Sequence, residues 1–562
     1  MKMINILKYR KIAFFTMTSV FLLSSCTKDF AEVNTNPLRP NDEQRKLDGL
    51  ASGGLFPSLI QNVIPTRGQG QDTDLPNRYQ VALNIAGDNW SGYYSPGNSH
   101  WNDGKNYTNY YVIDGWSNYA FGTMVERIIN PFMEIKAAMH DIEIKEDKTL
   151  IYKEREALVD RSVYSIAQII KIMGYHRTTD MFGPVPYSQI GAGKLTVAYD
   201  SQEAIYKSFF EELTKAIKTL NEYKSAGGEK LIEDFDPVYQ GEVAKWIKLG
   251  NSLMLRLAMR VRYADEELAR KYAQQATNPE NGGVLAKKDE VAKLETNGRF
   301  TYFNSVNLLW KDYKEVKMGA TIYSYLKGYN DERISKYFSQ GELNGVKGYY
   351  AVRSGIENLS EGDFYKNYSN PNIQESTPTY WMKASEVEFL LAEASLFGLI
   401  NGNAKAHYEK GISLSFEEYG LSAGNYATVS STPADYVDNK NNEYNYNAIS
   451  TVDKKWNDSA ENEENFERII TQKYLAIYPD GQEAWTEWRR TGYPRIFRIP
   501  VNVSNVKAKD INDQGTDGGM RRLPFPRNEY QLNGANVNAA ITLLNGADDA
   551  STNVWWDKKN KN

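Results

Sequence analysis

Apolar side chains recur along much of this chain at three- and four-residue intervals, and strand-like alternation is sparse. Between Asp200 and Leu220 the apolar positions are Ile205, Phe209, Leu213, Ile217 and Leu220, one stripe along a single helix face. Asp200, with Glu203 three residues on, reads as a capping box at its start. A second stripe runs from Glu242 to Arg262 through Trp246, Leu249, Leu253, Leu257 and Val261. Phe466–Tyr478 and Gly481–Arg490 predict further helices, and Gly-, Asn- and Asp-rich loops separate them. The expected class is mainly α.

Small and apolar residues also fall at the offsets of a tetratricopeptide-type helix pair, where they let two antiparallel helices approach closely. Leu391 and Ala392, then Ala404, Tyr408 and Gly411, make one such set. Leu257, Ala269, Ala273 and Ala276 make a second. Two sets in one helical chain predict a tetratricopeptide-like scaffold.

The first residues form a different pattern. Lys2, Lys8, Arg10 and Lys11 precede an apolar run from Ile12 to Leu23. That run is too short to span a bilayer core, which needs roughly 20 apolar residues, and it reads as a secretory signal. It ends in Leu23-Ser24-Ser25-Cys26, a sequence that resembles a bacterial lipobox, and Cys26 is the single cysteine of the chain. Residues 1–25 are therefore expected to be a lipoprotein signal, and 26–48 a lipidated Cys26 with a polar tether that includes Asn34-Thr35-Asn36-Pro37. Residues 49–562 are expected to be the body. No second cysteine is present to support the fold with a disulfide.

Charge and composition narrow the function. The formal net charge is −5, and removing the four basic signal residues takes it to −9, which argues against a nucleic-acid partner. Tyrosine is unusually frequent, with 39 Tyr beside 11 Trp, and suggests large amphipathic rings presented at the surface. His100, His140, His176 and His407 lie far apart with no His-Glu-x-x-His spacing. Neither a Gly-x-Ser-x-Gly elbow nor a phosphate-binding glycine loop is present. No cofactor is expected, although the Asp/Asn-rich stretch from Asp510 to Asp517 leaves a structural calcium open.

Motifs spread over the chain resemble the SusD/RagB family of nutrient-binding outer-membrane lipoproteins. They run from Asp29-Phe30-Ala31-Glu32-Val33-Asn34 through Asp180-Met181-Phe182-Gly183-Pro184-Val185-Pro186-Tyr187 and Leu255-Arg256-Leu257-Ala258-Met259-Arg260. Glu483-Ala484-Trp485-Thr486-Glu487-Trp488-Arg489-Arg490 follows, then Arg521-Arg522-Leu523-Pro524-Phe525-Pro526 and Val554-Trp555-Trp556-Asp557-Lys558. The resemblance implies four tetratricopeptide-like units with an irregular, loop-rich ligand-binding half. It also implies a SusC-like, TonB-dependent transporter as partner. Lys28, Asp29 and Glu32 are similar to the charged signal that sends Bacteroidetes lipoproteins to the cell surface.

The family resemblance further implies a ligand held on aromatic side chains, and the C–H face of a sugar ring packs well on indole or phenol. The densest candidate stretch holds Trp90, Tyr93, Trp101 and Tyr107 with Asn89 and Asn102, between glycines that read as a loop. A second holds Tyr302, Phe303, Trp310 and Tyr313, placed to face the first, with Asp72, Asp74 and Arg78 as polar candidates. For every such ring the competing assignment is inward packing that pins the loop. Tyr110, Tyr111, Trp116, Tyr119 and Phe121 suit the core better, as do Trp485, Trp488, Arg489 and Arg490. The expected activity is non-catalytic capture of an oligosaccharide or polysaccharide. Alternatives are an oligopeptide ligand on the same fold, a structural lid or adhesin, or a surface glycoside hydrolase. The last would need two carboxylates about 5–5.5 or 6.5–9.5 Å apart across a cleft.

Overall fold

The helical stripes become helices at nearly the expected bounds. The computed structural model describes residues 53–97, 101–147, 154–191, 196–356 and 365–561. The signal, Cys26 and the whole tether lie outside the described residues. Sixteen α-helices occur among those described, together with five two-stranded antiparallel ribbons. In chain order the helices are α1 Phe56–Val63, α2 Asp74–Tyr79, α3 Asp114–Asp147, α4 Glu154–Phe182, α5 Gln202–Ser225, α6 Val243–Val261, α7 Glu266–Thr277, α8 Ser305–Lys311, α9 Ala320–Gly328, α10 Ile334–Tyr337, α11 Ala384–Leu396, α12 Ala404–Glu418, α13 Asn462–Ile477, α14 Gly481–Thr491, α15 Arg527–Leu532 and α16 Gly534–Ile541. A π-helix, Gln80–Asp88, follows α2 directly.

Successive helices pack in pairs: α3 on α4, α4 on α5, α6 on α7, α11 on α12. Helix α6 joins the two groups, contacting α5 as well as α11. The small residues do what their spacing implied. A Cβ at Gly411 would sit 2.9 Å from the Phe389 ring, so glycine is what lets α12 lie on α11. Ala269, Ala273 and Ala276, with Tyr272, are the buried stripe of α7. The expected cap of α5 is off by one residue. Ser201 is the N-cap, accepting from Ala204 N at 3.2 Å. Asp200 instead accepts from the backbone N–H of Tyr187 (3.1 Å) and Ser188 (2.8 Å), holding the turn next to the ribbon of Val185–Pro186 with Tyr199–Asp200.

The frame is locked by buried ions. Asp180 on α4 accepts from Arg260 on α6 (2.9 Å), Tyr206 on α5 (2.5 Å) and the Trp556 indole (2.8 Å). Arg260 also reaches Glu483 and, at 3.3 Å, Glu487 of α14. Arg256 pairs with Glu386 of α11 at 2.7 Å, Lys473 of α13 lies 3.3 Å from Glu487, and Arg490 grips Glu393 at 2.6 Å. All of these side chains are at most 4% exposed. Burial works against the charges of Asp180, Glu393, Glu483 and Glu487, but the cations prevail. Arg490, Lys473 and Arg260 draw Glu487 down to about 2, and Arg260 holds Asp180 below the usual carboxylate range.

Tyrosine use corrects one expectation. Tyr530, 39% exposed, is the one strongly exposed aromatic among the described residues. Most rings point inward, and their hydroxyls donate to backbone carbonyls of loops and helix ends. Examples are Tyr325 to Arg495 O (2.9 Å), Tyr329 to Val452 O (3.0 Å), Tyr337 to Leu475 O (2.8 Å) and Tyr436 to Ala351 O (2.9 Å). Loops buried in this way have no ladder to satisfy their carbonyls, and a phenol supplies the donor together with apolar bulk.

Replacing Arg260 by Met should lower the unfolding free energy by about 3–5 kcal/mol, because it strands buried carboxylates on two helices. Urea denaturation reads this, and an unchanged midpoint would contradict the hub. The wild-type chain should lose stability as pH falls from about 4.5 towards 2. Glu487 and Asp180 titrate lower in the folded chain than in the unfolded one, so their contribution is complete above the unfolded values and disappears below the folded ones.

Candidate functional site

The stretch richest in aromatic residues is framework. Trp90 is 6% exposed, lies 5.6 Å from Tyr107 in a stacked pair and 4.8 Å from Trp485, and donates Nε1–H to Tyr107 O at 2.8 Å. Tyr93 is fully buried beside Tyr474, whose backbone carbonyl accepts a hydrogen bond from its hydroxyl. Trp101, 5% exposed, meets Trp116 edge-on, and Tyr107 is fully buried. Asn89 is buried too, its amide donating to Asn84 O at 2.6 Å, while exposed Asn102 closes its own turn on Lys105 O at 2.7 Å. The outward-facing arrangement expected for Trp90, Tyr93, Trp101 and Tyr107 is thus corrected. Their glycine neighbours mislead for a physical reason. A Cβ at Gly87 would meet Gln482 at 2.6 Å, and one at Gly92 (φ +76°) would meet Thr321 at 2.6 Å. These glycines mark close approach to the frame rather than a loose loop.

The space left beneath this stretch is small. A cavity bounded by Asn89, Trp90, Tyr110, Thr321 and Arg353 holds about 30 Å³, as does another beside Asp88 and Gln482. Each suits a water molecule and is far below the roughly 300 Å³ of a small-ligand pocket. Asp88 is completely enclosed. It accepts from Tyr79 (2.8 Å) and Asn84 (3.1 Å), yet burial pushes its carboxyl up to about 7.

The second aromatic stretch ends up elsewhere than expected. It faces α1–α2 instead of Trp90–Tyr107, because Arg67–Gly68 and Tyr302–Phe303 pair as an antiparallel ribbon and α8 packs on α2. Tyr302 is buried (7% exposed), and burial raises its phenol to about 12. Phe303, Trp310 and Tyr313 are half-buried, and Trp310 and Tyr313 pack against the core. Trp310 is pinned by its Nε1–H to Ile373 O (2.7 Å), and Tyr313 by its hydroxyl to Asn77 (2.8 Å). Charged groups lie at Phe303 and on α2, on which α8 packs. The Arg67 guanidinium lies 5.1 Å over the Phe303 ring and pairs with Glu375 at 2.9 Å. Asp74 binds Arg78 (2.7 Å) and Tyr119 (3.0 Å), and Arg78 stacks 4.6 Å over Tyr119. Burial opposes the charge of Asp74, but the bonds from Arg78 and Tyr119 outweigh it and hold the carboxyl below its ordinary range. Half-exposed, pre-positioned rings with charged neighbours can stack a sugar face and hold its hydroxyls.

Arg67, Asn77 and Glu375 were missed by sequence reasoning. Their partners lie more than 200 residues away along the chain, and a two-residue ribbon is too short to show alternation. Asp74, Arg78 and the second aromatic stretch were visible, although the packing of α8 on α2 was not. Among the described residues, no group of three or more His, Cys, Asp or Glu is placed to hold a metal ion. In the Asp510–Asp517 stretch, Asp513 pairs with Arg498 and Asp510 accepts from Asn502.

A helical-repeat frame that carries a loop-rich half with pinned, half-exposed rings defines a class of scaffold proteins. The chain belongs to the SusD-like family, whose model, Susd and RagB outer membrane lipoprotein, matches residues 32–557. It is similar to a solved SusD homolog from Bacteroides vulgatus, with 32% identity, a TM-score of 0.82, and coverage of 92% of this chain and 100% of that one. A SusD homolog from Bacteroides uniformis matches at 34% identity and a TM-score of 0.78, covering 91% and 99%. A chitin-binding SusD homolog from Flavobacterium johnsoniae matches at 31% and 0.80, covering 90% and 98%. No curated protein matches the chain.

Trp90→Ala should cost about 3–5 kcal/mol of stability, as large-to-small changes in a core do, and a thermal or urea transition within experimental error of wild type would refute the framework role. Asp88→Asn should stabilise the chain at pH 8 by on the order of 1 kcal/mol or more relative to its effect at pH 4. The sign follows from the raised folded value: between about 4 and 7 the unfolded chain releases this proton while the folded one keeps it, so the wild type weakens as pH rises. Parallel urea titrations at the two pH values check it.

Proposed function

We propose that this chain is a non-catalytic, cell-surface binding protein for an oligosaccharide or polysaccharide, which it delivers to a SusC-like, TonB-dependent outer-membrane transporter. Membership of the SusD-like family supports nutrient binding, and the similar Flavobacterium johnsoniae protein binds chitin. The observation that carries the reading for this chain is partly exposed Phe303, with the Arg67 guanidinium 5.1 Å over its ring, followed closely along the chain by the partly exposed, hydrogen-bonded Trp310 and Tyr313. Pinned by Ile373 O and Asn77, Trp310 and Tyr313 lose little entropy when a ligand settles on them. Lipid on Cys26 would hold the body at the outer membrane. Among the described residues no helix is long and apolar enough to cross a membrane, so acyl chains would supply the attachment.

Affinity electrophoresis against a panel of polysaccharides, followed by calorimetry with the best ligand, tests this. Changing Phe303, Trp310 and Tyr313 together to Ala should weaken binding about tenfold or more, since each ring contact is worth roughly 0.5–1.5 kcal/mol. Binding that survives the triple change unaltered would remove the site, and a preference for oligopeptides would change the ligand class. Release of reducing sugar by the purified chain would make it a hydrolase instead.

A further inference from the structure

A groove of about 510 Å³ opens near the C-terminal segment, well within the 300–1,000 Å³ of small-ligand pockets. One wall is the bridge between Lys509 and Gly519, whose N–H donates to Lys509 O at 2.8 Å. Residues Ser551–Asn553 and Asp557–Lys559 form the other wall. Arg521, 2% exposed, lies on the floor. Its guanidinium is bound to Asp557, and Lys561 donates to the same carboxylate at 2.6 Å. Two cations therefore already match Asp557. Lys559 is held by Glu463 and by Thr491 O at 2.8 Å.

Lys509 and Lys558 are exposed, and among the described residues neither forms an ion pair. Four cations, Lys509, Arg521, Lys558 and Lys559, thus line the groove against two carboxylates, Asp517 and Asp557. The chain as a whole carries a formal charge of −5, so a groove with this excess of cations is opposite in sign to the chain's net charge. No aromatic ring lines it. The remaining lining is hydroxyl, carboxamide and glycine backbone, notably Asn545, Ser551 and Asn553.

We propose that this groove binds the anionic units of a carboxylate-bearing oligosaccharide, at a place separate from the ring-bearing surface of α8 and independent of it. Lys509 and Lys558 meet the sugar carboxylates, and Asn545, Ser551 and Asn553 meet its hydroxyls. Recognition rests on charge and hydrogen bonding instead of stacking. An acidic peptide fits less well, because the groove offers no apolar recess for side chains.

Calorimetry on the full chain with trigalacturonate, and with uncharged cellotriose as control, tests the assignment. Trigalacturonate should bind, more weakly as ionic strength rises. The double change Lys509→Gln with Lys558→Gln should weaken it about tenfold, the sum expected for two exposed charge contacts. Lys347→Gln, on an exposed hairpin, should leave it unaltered. Both target lysines are exposed, and an unchanged urea midpoint confirms that the double variant is folded. Equal affinity in the double variant overturns the proposal, as does an absence of trigalacturonate binding. Loss of that binding in the Phe303/Trp310/Tyr313 triple variant would instead place the sugar on the ring-bearing surface. Polyglutamate or citrate binding as tightly as trigalacturonate would reject a saccharide site.

Discussion

The fold depends on a set of buried ions that no pair of helices could hold alone. Moving a carboxylate or guanidinium out of water costs several kcal/mol even after relaxation, and a single buried partner seldom recovers it. Asp180 is tolerated because α5, α6 and the C-terminal Trp556 all donate to it, and Arg260 because it reaches α4 and α14 together. Each charge is satisfied only when every contributing element is docked. Removal of one element leaves the charges of the others stranded, which binds the early helices, the late helices and the chain end into one cooperative arrangement.

The same constraint, solved with neutral groups, explains the abundance of tyrosine. A loop-rich half must bury carbonyls that no sheet or helix satisfies, and an orphaned buried carbonyl is costly. Tyr474 donates to Ser91 O at 3.1 Å and Tyr239 to Glu290 O at 2.9 Å, and each ring also fills core volume. Burial raises these phenols far above their ordinary range, so they stay protonated and remain donors at any ordinary pH. High tyrosine content is thus a property of the framework before it is one of the binding surface.

Legibility followed the range of each interaction. The stripe from Ile205 to Leu220, the close-packing Gly411 and the helix at Gly481 are local patterns, and sequence reading located them. Burial of Trp90 and Tyr93 is set by Trp485 and Tyr474, almost 400 residues on, and no local spacing encodes that. Helix α14 shows the difficulty from the other side: its sequence is mostly polar, yet all eleven of its residues are buried, because the charges find partners in other elements. The rings Phe303, Trp310 and Tyr313 were visible in the sequence, as were Asp74 and Arg78 as polar candidates. Arg67 and Glu375 were hidden by distance along the chain.

Rigidity of the frame and exposure at the rim are linked through single hydrogen bonds. Trp310 near the end of α8 and Tyr313 just beyond it have their polar ends held by Ile373 O and Asn77. Ile373 itself is buried, and Asn77 lies on α2, which runs directly into the π-helix packed on α14. The orientation of the outward rings is therefore inherited from the ionic core through one packed layer. A side chain fixed in this way has already lost its rotamer freedom on folding, so a ligand that settles on it need not supply that cost again. Weak individual contacts, each worth about 1 kcal/mol, can then accumulate to useful affinity on a shallow surface.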